Sequence, residues 1–355
     1  MAASYFAASG MATLSANCLP WFRGAGMKRR EFIRLAGIAA ASPLSVRAQQ
    51  PERIRLIAVL GGLREDDPMN QPRLAALFQG LRELGWIEGK NFRFDYRWVT
   101  NDADRMLAIV QEMVKLHPDL LLSLNANPPV VAALMRETAT IPILFVNTAE
   151  PVGEGITPSL SRPIRNVTGL TNFEYAIGGK WMDLLKKAAP NMARAALMFN
   201  PDTAPHGFSY VASFESAANF SAVEPNTVLV RNVTEIERAL SALGKGNGLV
   251  VVNDTFTASK RTDIIALASQ YELPAVGGFR YFPDEGLLMS YGPELLGMHR
   301  RSASYIDRLL KGESPASLPI EQPTKYDLVI NLKTARKLGL DLPQMLLSGA
   351  DEIIE

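Results

Sequence analysis

The sequence of 355 residues has almost none of the side chains that build metal or disulfide sites. It contains one cysteine, Cys18, and three histidines, His117, His206 and His299. These four lie far apart with no ligand-type spacing, which argues against a structural zinc site or a disulfide framework. A strong net charge is also missing, because 37 basic residues balance 36 acidic ones to give +1. We therefore predict no metal site and no nucleic-acid partner.

The sequence also lacks the motifs of common catalytic and nucleotide-binding sites. It has no Walker phosphate loop, no nucleophile elbow and no zinc-protease helix motif. Gly61 and Gly62 follow the first predicted strand without the rest of a dinucleotide-binding loop. The glycine-rich segment 244–248 precedes a predicted strand, so we interpret it as an exposed turn. We expect no cofactor and no enzymatic activity.

The first 48 residues differ in composition from the rest and are predicted to be an export signal. They hold six basic residues and one acidic residue, and a short apolar stretch over residues 35–44 follows the basic cluster. That stretch is too short to span a bilayer, and the residues before position 49 predict cleavage after Ala48. The order of the basic cluster resembles a twin-arginine signal. Its defining residues are Arg29, Arg30 and Phe32.

Export would place the remaining chain outside the cytoplasm. Residues 49–355 contain no cysteine, which suits an oxidising compartment, so we predict a periplasmic protein without stable membrane insertion. An ordinary secretory signal with a chance arginine pair is the alternative to the twin-arginine route. Met27 stands directly before the motif and offers a second start, which would leave residues 1–26 untranslated.

From Ile54 onward, apolar runs typical of buried strands alternate with helical stripes. The run Ile54–Leu60 predicts a parallel strand, and apolar residues spaced three and four apart over Asn70–Leu84 predict the following helix. The alternation forms two blocks, and the irregular segment 151–167 is the predicted first crossover between them. In the second block the pattern predicts one helix over Thr257–Tyr271 and a short strand over Leu287–Ser290. We predict an α/β fold of two doubly wound parallel-sheet lobes joined by a multi-crossover hinge. Lobe 1 is assigned to residues 49–168 plus about 293–320, and lobe 2 to residues 169–292 plus about 321–355.

In open α/β sheets ligands bind beyond the carboxyl ends of the strands, and this rule selects the candidate site. The loops after the predicted strands are rich in neutral hydrogen-bonding groups and aromatic rings. Candidate ligand-binding residues in the first block are Leu63, Asn125, Ala126, Asn127, Asn147, Thr148 and Glu150. Those in the second block are Asn200, Asp254, Thr255, Phe279, Tyr281 and Tyr291.

These residue types indicate how an amino acid or a related solute could be held. Asn127 before Pro128 is typical of a helix start, whose free N–H groups bind a carboxylate. Asp254 or Glu150 can pair with an ammonium group, and the aromatic rings can stack on a side chain. Each residue also has a plainer interpretation. Asparagine after a strand is commonly a turn or cap residue, and the aromatic residues can close the cores of the lobes.

Several segments carry a resemblance to a known family. They include GLRELGWIEGKN at residues 80–91, LMSYGP at residues 288–293 and the stretch Leu318–Ala335. Together with the last segment, Ala350–Glu355, the similarity covers nearly all of residues 28–355. The chain resembles the ABC-transporter substrate-binding proteins of the tryptophan/tyrosine-transporter-like group.

The resemblance implies a type I periplasmic-binding-protein fold, with two lobes, three crossover segments and a ligand in the cleft between the lobes. It implies a monomer that imports a small organic solute, an amino acid or an aromatic or carboxylate compound, with a permease and an ATPase as partners. The sequence departs from the family in the loop Asn125–Pro128, where a Gly- or Ser/Thr-containing turn is common, and at Thr255, where proline is usual. An exported enzyme and a periplasmic ligand sensor that is not coupled to transport are the alternatives.

Overall fold

The computed structural model describes residues 53–98, 103–125 and 127–355. The predicted export signal, with Arg29, Arg30, Phe32 and the cleavage site after Ala48, lies outside these residues, and so does Ala126. The described residues form two β-sheets with helices packed against them. No helix in these ranges is long and apolar enough to cross a membrane.

The first sheet has five parallel strands in the order β2-β1-β3-β4-β5. The strands are β1 (Arg55–Gly61), β2 (Phe92–Trp98), β3 (Leu120–Leu124), β4 (Ile143–Thr148) and β5 (Val167–Thr171). The connecting helices are α1 (Gln71–Glu83), α2 (Ala103–Lys115) and α3 (Pro128–Glu137). Because helices cover both faces of the sheet, its central strands are continuous apolar runs, and every residue of β3 and β4 is buried.

The second sheet has seven strands in the order β12-β11-β10-β9-β8-β6-β7, and only the β10–β11 pair is antiparallel in the described residues. The strands are β6 (Arg194–Phe199), β7 (Glu224–Leu229), β8 (Gly248–Val251), β9 (Ala275–Gly277), β10 (Met289–Pro293), β11 (Tyr326–Asn331) and β12 (Glu352–Ile354). The helices are α4 (Ile177–Ala188), α5 (Gly207–Phe220), α6 (Val233–Leu243), α7 (Thr255–Ser259), α8 (Arg261–Gln270), α9 (Tyr281–Asp284), α10 (Leu295–Leu310), α11 (Leu332–Lys337) and α12 (Gln344–Ser348), with a short 3₁₀ helix over Pro315–Ser317.

Helix α10 follows the second sheet in sequence but covers the first sheet in space. It packs along α1, and its buried Tyr305 and Ile306 join the core of the first sheet. Gly80 permits this close approach, because a Cβ there would lie 2.7 Å from the carbonyl oxygen of Arg300. The first lobe is therefore built from two separate parts of the chain.

Three segments connect the two sheets. The chain leaves the first sheet after β5, returns from β10 into α10, and crosses again between Glu321 and β11. The first and third crossings lie side by side, since Thr171 N donates to Glu321 O at 2.9 Å and the Tyr326 hydroxyl donates to Asn172 O at 2.9 Å. The two-lobed α/β architecture predicted from the alternating pattern is confirmed.

Two local predictions need correction. The segment 151–167 does not carry the chain across, because it leads back into the first sheet and pairs there with β4 as strand β5. The chain leaves that sheet only after Thr171, so β5 spans the predicted boundary between residues 168 and 169. The single helix predicted over residues 257–271 is two helices, α7 and α8, because the backbone at Lys260 departs from helical geometry (φ −106°, ψ 13°).

Candidate functional site

The carboxyl ends of strands from both sheets meet around a cavity of about 40 Å³, which we call the interlobe cavity. The first lobe lines it with Gly62, Leu63, Met69, Arg73, Asn125, Asn127 and Asn147, and Asn172 of the first crossing joins them. The second lobe lines it with Asn253, Asp254, Thr255, Ala258, Phe279 and Tyr281. Gly62 lets the loops after β1 and β3 touch, because a Cβ there would lie 1.8 Å from the carbonyl oxygen of Asn125.

Asn127 connects the two lobes across this cavity. It precedes Pro128 with extended backbone, as predicted for a helix start, but its side chain makes no cap hydrogen bond to α3. Its Nδ2 instead donates to the carbonyl of Thr203 and, at 3.2 Å, to Thr255 Oγ1, both on the second lobe. These bonds need the lobes to be close together, so the conformation is a closed one.

A relay of asparagine amides runs along the first-lobe wall of the cavity. Asn172 Nδ2 donates to Asn147 Oδ1 at 2.9 Å, and Asn147 Nδ2 donates to Asn125 Oδ1 at 2.9 Å. The relay ends on Asn125 Nδ2, which is buried without a partner among the described residues. Asn125 (φ 53°) and Asn147 (φ 65°) have left-handed backbone, which asparagine adopts more readily than most residues. Turn geometry and hydrogen bonding both favour asparagine here.

Asn253 presents a second unpaired amide from the opposite lobe. Its Oδ1 accepts from Gly278 N at 3.0 Å, which fixes the orientation of the side chain. Its Nδ2 is buried and has no partner among the described residues. Buried donors without acceptors are costly, and the two amide groups therefore suit an acceptor-bearing ligand such as a carboxylate.

Asp254 is the N-cap residue of helix α7. One of its carboxylate oxygens accepts hydrogen bonds and the other does not. Its Oδ1 accepts from the backbone N–H groups of Phe256 and Thr257 and from Thr203 Oγ1 at 3.2 Å. Asp254 N in turn donates to Thr257 Oγ1 at 3.0 Å, which completes a capping box with the Thr257 N–H bond. Its Oδ2 is buried without a partner in the described part of the chain. Burial raises the pKa of Asp254 to about 7, against the lowering effect of the bonds from Thr257 and Phe256. A cation at Oδ2 would favour its charged form.

Arg73 lines the same cavity and was missed by the sequence reasoning. It lies in the first turn of α1, is only 7% exposed, and makes no hydrogen bond or ion pair with any described residue. Burial lowers the pKa of its guanidinium. The carboxyl-end rule selects loop residues, whereas Arg73 lies inside helix α1. The sequence does contain one signal for Arg73. It lies only twelve residues after the end of β1, in the first turn of the helix that follows the cleft-facing loop.

Aromatic rings close the second-lobe side of the cavity. Phe279 packs on Phe173 with ring centroids 5.2 Å apart and on Tyr281 at 6.0 Å. Burial raises the pKa of Tyr281 above its usual value, so its hydroxyl stays protonated at neutral pH. Phe279 and Tyr281 thus give the cavity an apolar wall opposite its polar groups.

Thr148 and Glu150, two of the predicted first-lobe residues, do not line the cavity. Thr148 is the last residue of β4, and its carbonyl accepts from Thr171 Oγ1 at 2.8 Å. Glu150 is buried beside Tyr175 near the first crossing, and its Oε1 has no partner among the described residues. Burial, followed by repulsion from Glu174, raises the pKa of Glu150 to about 7.

Asn200 and Tyr291, predicted in the second lobe, are also not among the residues that line the cavity. Asn200 follows β6, which lies beside the edge strand β7, and its Oδ1 accepts from Asp202 N at 2.9 Å. Tyr291 lies inside β10, because that strand continues to Pro293 instead of ending at the predicted Ser290. Its ring stacks on Tyr326 with centroids 5.6 Å apart.

The described residues hold no group of three or more histidine, cysteine, aspartate or glutamate side chains that could bind a metal ion. Burial lowers the pKa of His206 to about 4 and that of His299 to about 3. Both imidazoles are therefore neutral at pH 7. His299 Nδ1 lies 2.7 Å from Leu295 O, within its own helix.

Two α/β lobes, three crossings and a polar cavity between the lobes define the type I periplasmic-binding-protein fold. The family model described as ABC transporter substrate binding protein matches residues 65–354, and the chain belongs to this family. Proteins of the family bind small-molecule solutes outside the cytoplasm and work with ABC permease subunits.

A tyrosine-binding protein of Clostridioides difficile (strain R20291) is 22% identical over 265 residues, which cover 74% of this chain and 75% of that protein. A conserved domain protein from Vibrio cholerae has a solved structure with 26% identity and a TM-score of 0.77, covering 85% of this chain and 100% of that one. The structure of an ABC domain in complex with L-Trp from Streptococcus pneumonia has 21% identity and a TM-score of 0.76, with the same coverage.

Proposed function

We propose that this chain is the extracytoplasmic solute-binding component of an ABC importer and that its solute is an α-amino acid with an aromatic or apolar side chain. The observation that carries the proposal is a pair of opposite, unpartnered charges at one cavity. Arg73 and Asp254 Oδ2 both lack partners among the described residues. A ligand with both a carboxylate and an ammonium group satisfies both.

The polar groups assign an orientation to the amino acid. Its carboxylate accepts from Arg73 and from the free amide groups of Asn125 and Asn253, and its ammonium group donates to Asp254 Oδ2. Charge-assisted bonds of this kind are about twice as strong as neutral ones, and they relieve the cost of two buried, uncompensated charges. A ligand that lacks either group leaves one of these charges buried and alone.

The walls of the cavity favour an apolar side chain on that amino acid. Phe279, Tyr281 and Met69 supply aromatic and thioether surface next to the polar groups. The names of two similar proteins are consistent with this, since one is a tyrosine-binding protein and the other was solved with L-Trp. We therefore extend binding of an aromatic amino acid to this chain as part of the proposal.

Delivery to the permease follows from closure of the lobes around the solute. Arg73 and Asn125 come from the first lobe, whereas Asn253 and Asp254 come from the second. A solute that contacts both lobes stabilises the closed state in a pre-existing equilibrium, and the permease recognises that state. Export by the twin-arginine signal, cleavage after Ala48 and a monomeric state belong to the same proposal.

Calorimetry with matched analogues of tyrosine tests the proposal. We expect L-tyrosine to bind the purified protein, and tyramine, which lacks the carboxylate, to bind at least about 30-fold more weakly, as loss of a buried charge pair implies. The same loss is expected for 3-(4-hydroxyphenyl)propionate, which lacks the ammonium group. Equal affinity for L-tyrosine and either analogue would contradict the zwitterion site, and absence of binding by all natural amino acids would contradict the proposed function.

A further inference from the structure

We propose that the binding site continues beyond the interlobe cavity into a large groove and that the cleft accepts α-amino acids whose side chains are longer than one aromatic ring. This inference rests on the proposed function, because it assumes that the charged end of an amino acid occupies the interlobe cavity. The groove, which we call the side groove, has a volume of about 630 Å³.

The interlobe cavity is too small for a whole amino acid. Its volume of about 40 Å³ holds about three water molecules at 10–15 Å³ each, which is comparable to the carboxylate and ammonium end alone. Binding sites for small molecules usually measure about 300–1,000 Å³. The side chain of the solute must therefore lie elsewhere, and the side groove has the missing volume.

The two spaces share one wall. Met69, Arg73, Phe279 and Tyr281 line both the interlobe cavity and the side groove. The two spaces are therefore adjacent, and in the proposed binding mode the solute's side chain passes Phe279 and Tyr281 into the side groove.

The remaining walls of the side groove come from both lobes. Pro68 and Pro72 lie at the start of α1 on the first lobe, and Leu295 and Leu296 form the first turn of α10. Val329 of β11 lines the groove from the second sheet. The groove is thus bounded by apolar side chains of both lobes.

Apart from Arg73, which also lines the interlobe cavity, the charged side chains around the side groove have ion-pair or hydrogen-bond partners. The pairs are Arg261 with Glu285 at 2.6 Å, Arg280 with Glu352 at 2.7 Å, and Lys325 with Asp327 at 2.6 Å. Glu294 accepts from the backbone N–H groups of Leu296 and Gly297 at the start of α10. Because these charges already have partners, an uncharged aryl or alkyl extension fits the groove better than a second ionic group.

The side groove also exceeds what one aromatic ring needs. Phenylalanine, tyrosine and tryptophan side chains bury about 150–250 Å² each, and such a ring fits against Phe279 and Tyr281 alone. The apolar surface from Pro72 to Leu296 then stays uncovered. An aryl ether or a similar extension of the side chain would cover it and gain affinity in proportion to the buried area.

Calorimetry on the full chain with L-tyrosine and O-benzyl-L-tyrosine tests this inference. We expect the benzyl ether to bind at least as tightly as L-tyrosine. Leu296→Trp adds bulk at the side groove and is expected to weaken the benzyl ether at least about 10-fold, whereas L-tyrosine stays within about twofold. The control is Leu107→Trp on α2, another exposed helical leucine that lies outside both spaces. We expect it to change neither affinity.

The outcomes separate the inference from the proposed function. If L-tyrosine binds and the benzyl ether binds more than about 100-fold more weakly, the side groove does not receive the side chain and the proposed function stands. Equal affinity of Leu296→Trp and the unaltered protein for the benzyl ether also overturns the inference. If neither compound binds the unaltered protein, both the proposed function and the inference fail.

Discussion

Two buried carboxyl groups in different regions of the molecule share an unpartnered oxygen and a raised pKa. Asp254 at the interlobe cavity and Glu150 near the first crossing each have an oxygen without a partner among the described residues, and burial raises the pKa of each to about 7. Only Asp254 lines a cavity with an unpaired cation, Arg73, on the opposite lobe. Burial and a shifted pKa therefore do not identify a binding group on their own, and the comparison rests on what each carboxyl faces.

The surroundings of Glu150 are acidic. Glu174 and Glu154 both raise its pKa by repulsion, and Tyr175 lies against it from the first crossing. Glu174 itself accepts from Gln322 Nε2 at 3.0 Å, which links the first and third crossings. Glu150 thus belongs to the connection between the lobes, and we assign it no ligand contact.

Replacement of Asp254 should have the largest effect on binding. Asp254→Asn keeps an oxygen to cap α7 and removes the charge that pairs with the solute's ammonium group. We expect the Kd for L-tyrosine, measured by calorimetry, to rise at least about 30-fold, because the loss leaves an uncompensated charge in a closed cleft. A Kd within threefold of the unaltered protein would contradict the role of Asp254.

The pH dependence of binding should distinguish Asp254 from Glu150. The solute's ammonium group pairs with ionised Asp254, whose pKa of about 7 lies above its usual value. Affinity should therefore increase as the pH rises from 5 to 7, by about 30-fold or more if ionisation of Asp254 alone limits binding. Calorimetry across this range should show a flat profile for Asp254→Asn and an unchanged slope for Glu150→Gln. A flat profile for the unaltered protein would count against the pairing.

Arg73 provides the matching test on the first lobe. Arg73→Met keeps most of the buried aliphatic surface and removes the guanidinium. We expect the Kd for L-tyrosine to rise about 10-fold, since loss of a charged hydrogen-bond partner costs about 1.5–3 kcal/mol. Without ligand the variant should be at least as stable as the unaltered protein in urea, because an unpaired buried charge is removed. Unchanged affinity would remove Arg73 from the site.

Replacement of Glu150 should have the smallest effect on binding and a visible effect on stability. A carboxyl whose folded pKa of about 7 exceeds its unfolded value stabilises the fold only while it is protonated, and this contribution is lost as the pH rises through 7. Glu150→Gln should therefore gain roughly 1–3 kcal/mol of unfolding free energy at pH 8 and nothing at pH 4. Urea unfolding at both pH values measures this. A tenfold weaker Kd for L-tyrosine would assign Glu150 to the site instead.

The sequence predicted the architecture because parallel strands buried on both faces are continuous apolar runs, as in β3 and β4. The carboxyl-end rule selected loops that line the interlobe cavity after β3, β8 and β9, although only the end of β3 was predicted to the residue. Tyr291 was predicted in a loop because the strand was predicted to end at Ser290, three residues before the end of β10. Asn200 was predicted at the site because the local pattern does not give the order of strands in a sheet, which places β6 next to the edge strand β7. The ligand-binding roles assigned to all of these residues stay predictions.

Other features depend on contacts that no local pattern contains. The asparagine relay joins residues 125, 147 and 172. Asn147 donates to the side-chain oxygen of Asn125, which fixes that amide group and leaves Asn125 Nδ2 without a partner among the described residues. Arg73 has a buried guanidinium because α1 and the second lobe close around it, although its sequence position is that of an ordinary helical arginine. Such groups become visible only when the two lobes are placed together.

A crystal structure of the protein with L-tyrosine would locate both charged ends of the solute. We predict the carboxylate of the amino acid within about 3 Å of the Arg73 guanidinium and its ammonium nitrogen about 2.7–2.9 Å from Asp254 Oδ2, as for charge-assisted hydrogen bonds. Glu150 should remain without a ligand contact. An amino acid bound in the opposite orientation, or with its ammonium group at Glu150, would contradict the account.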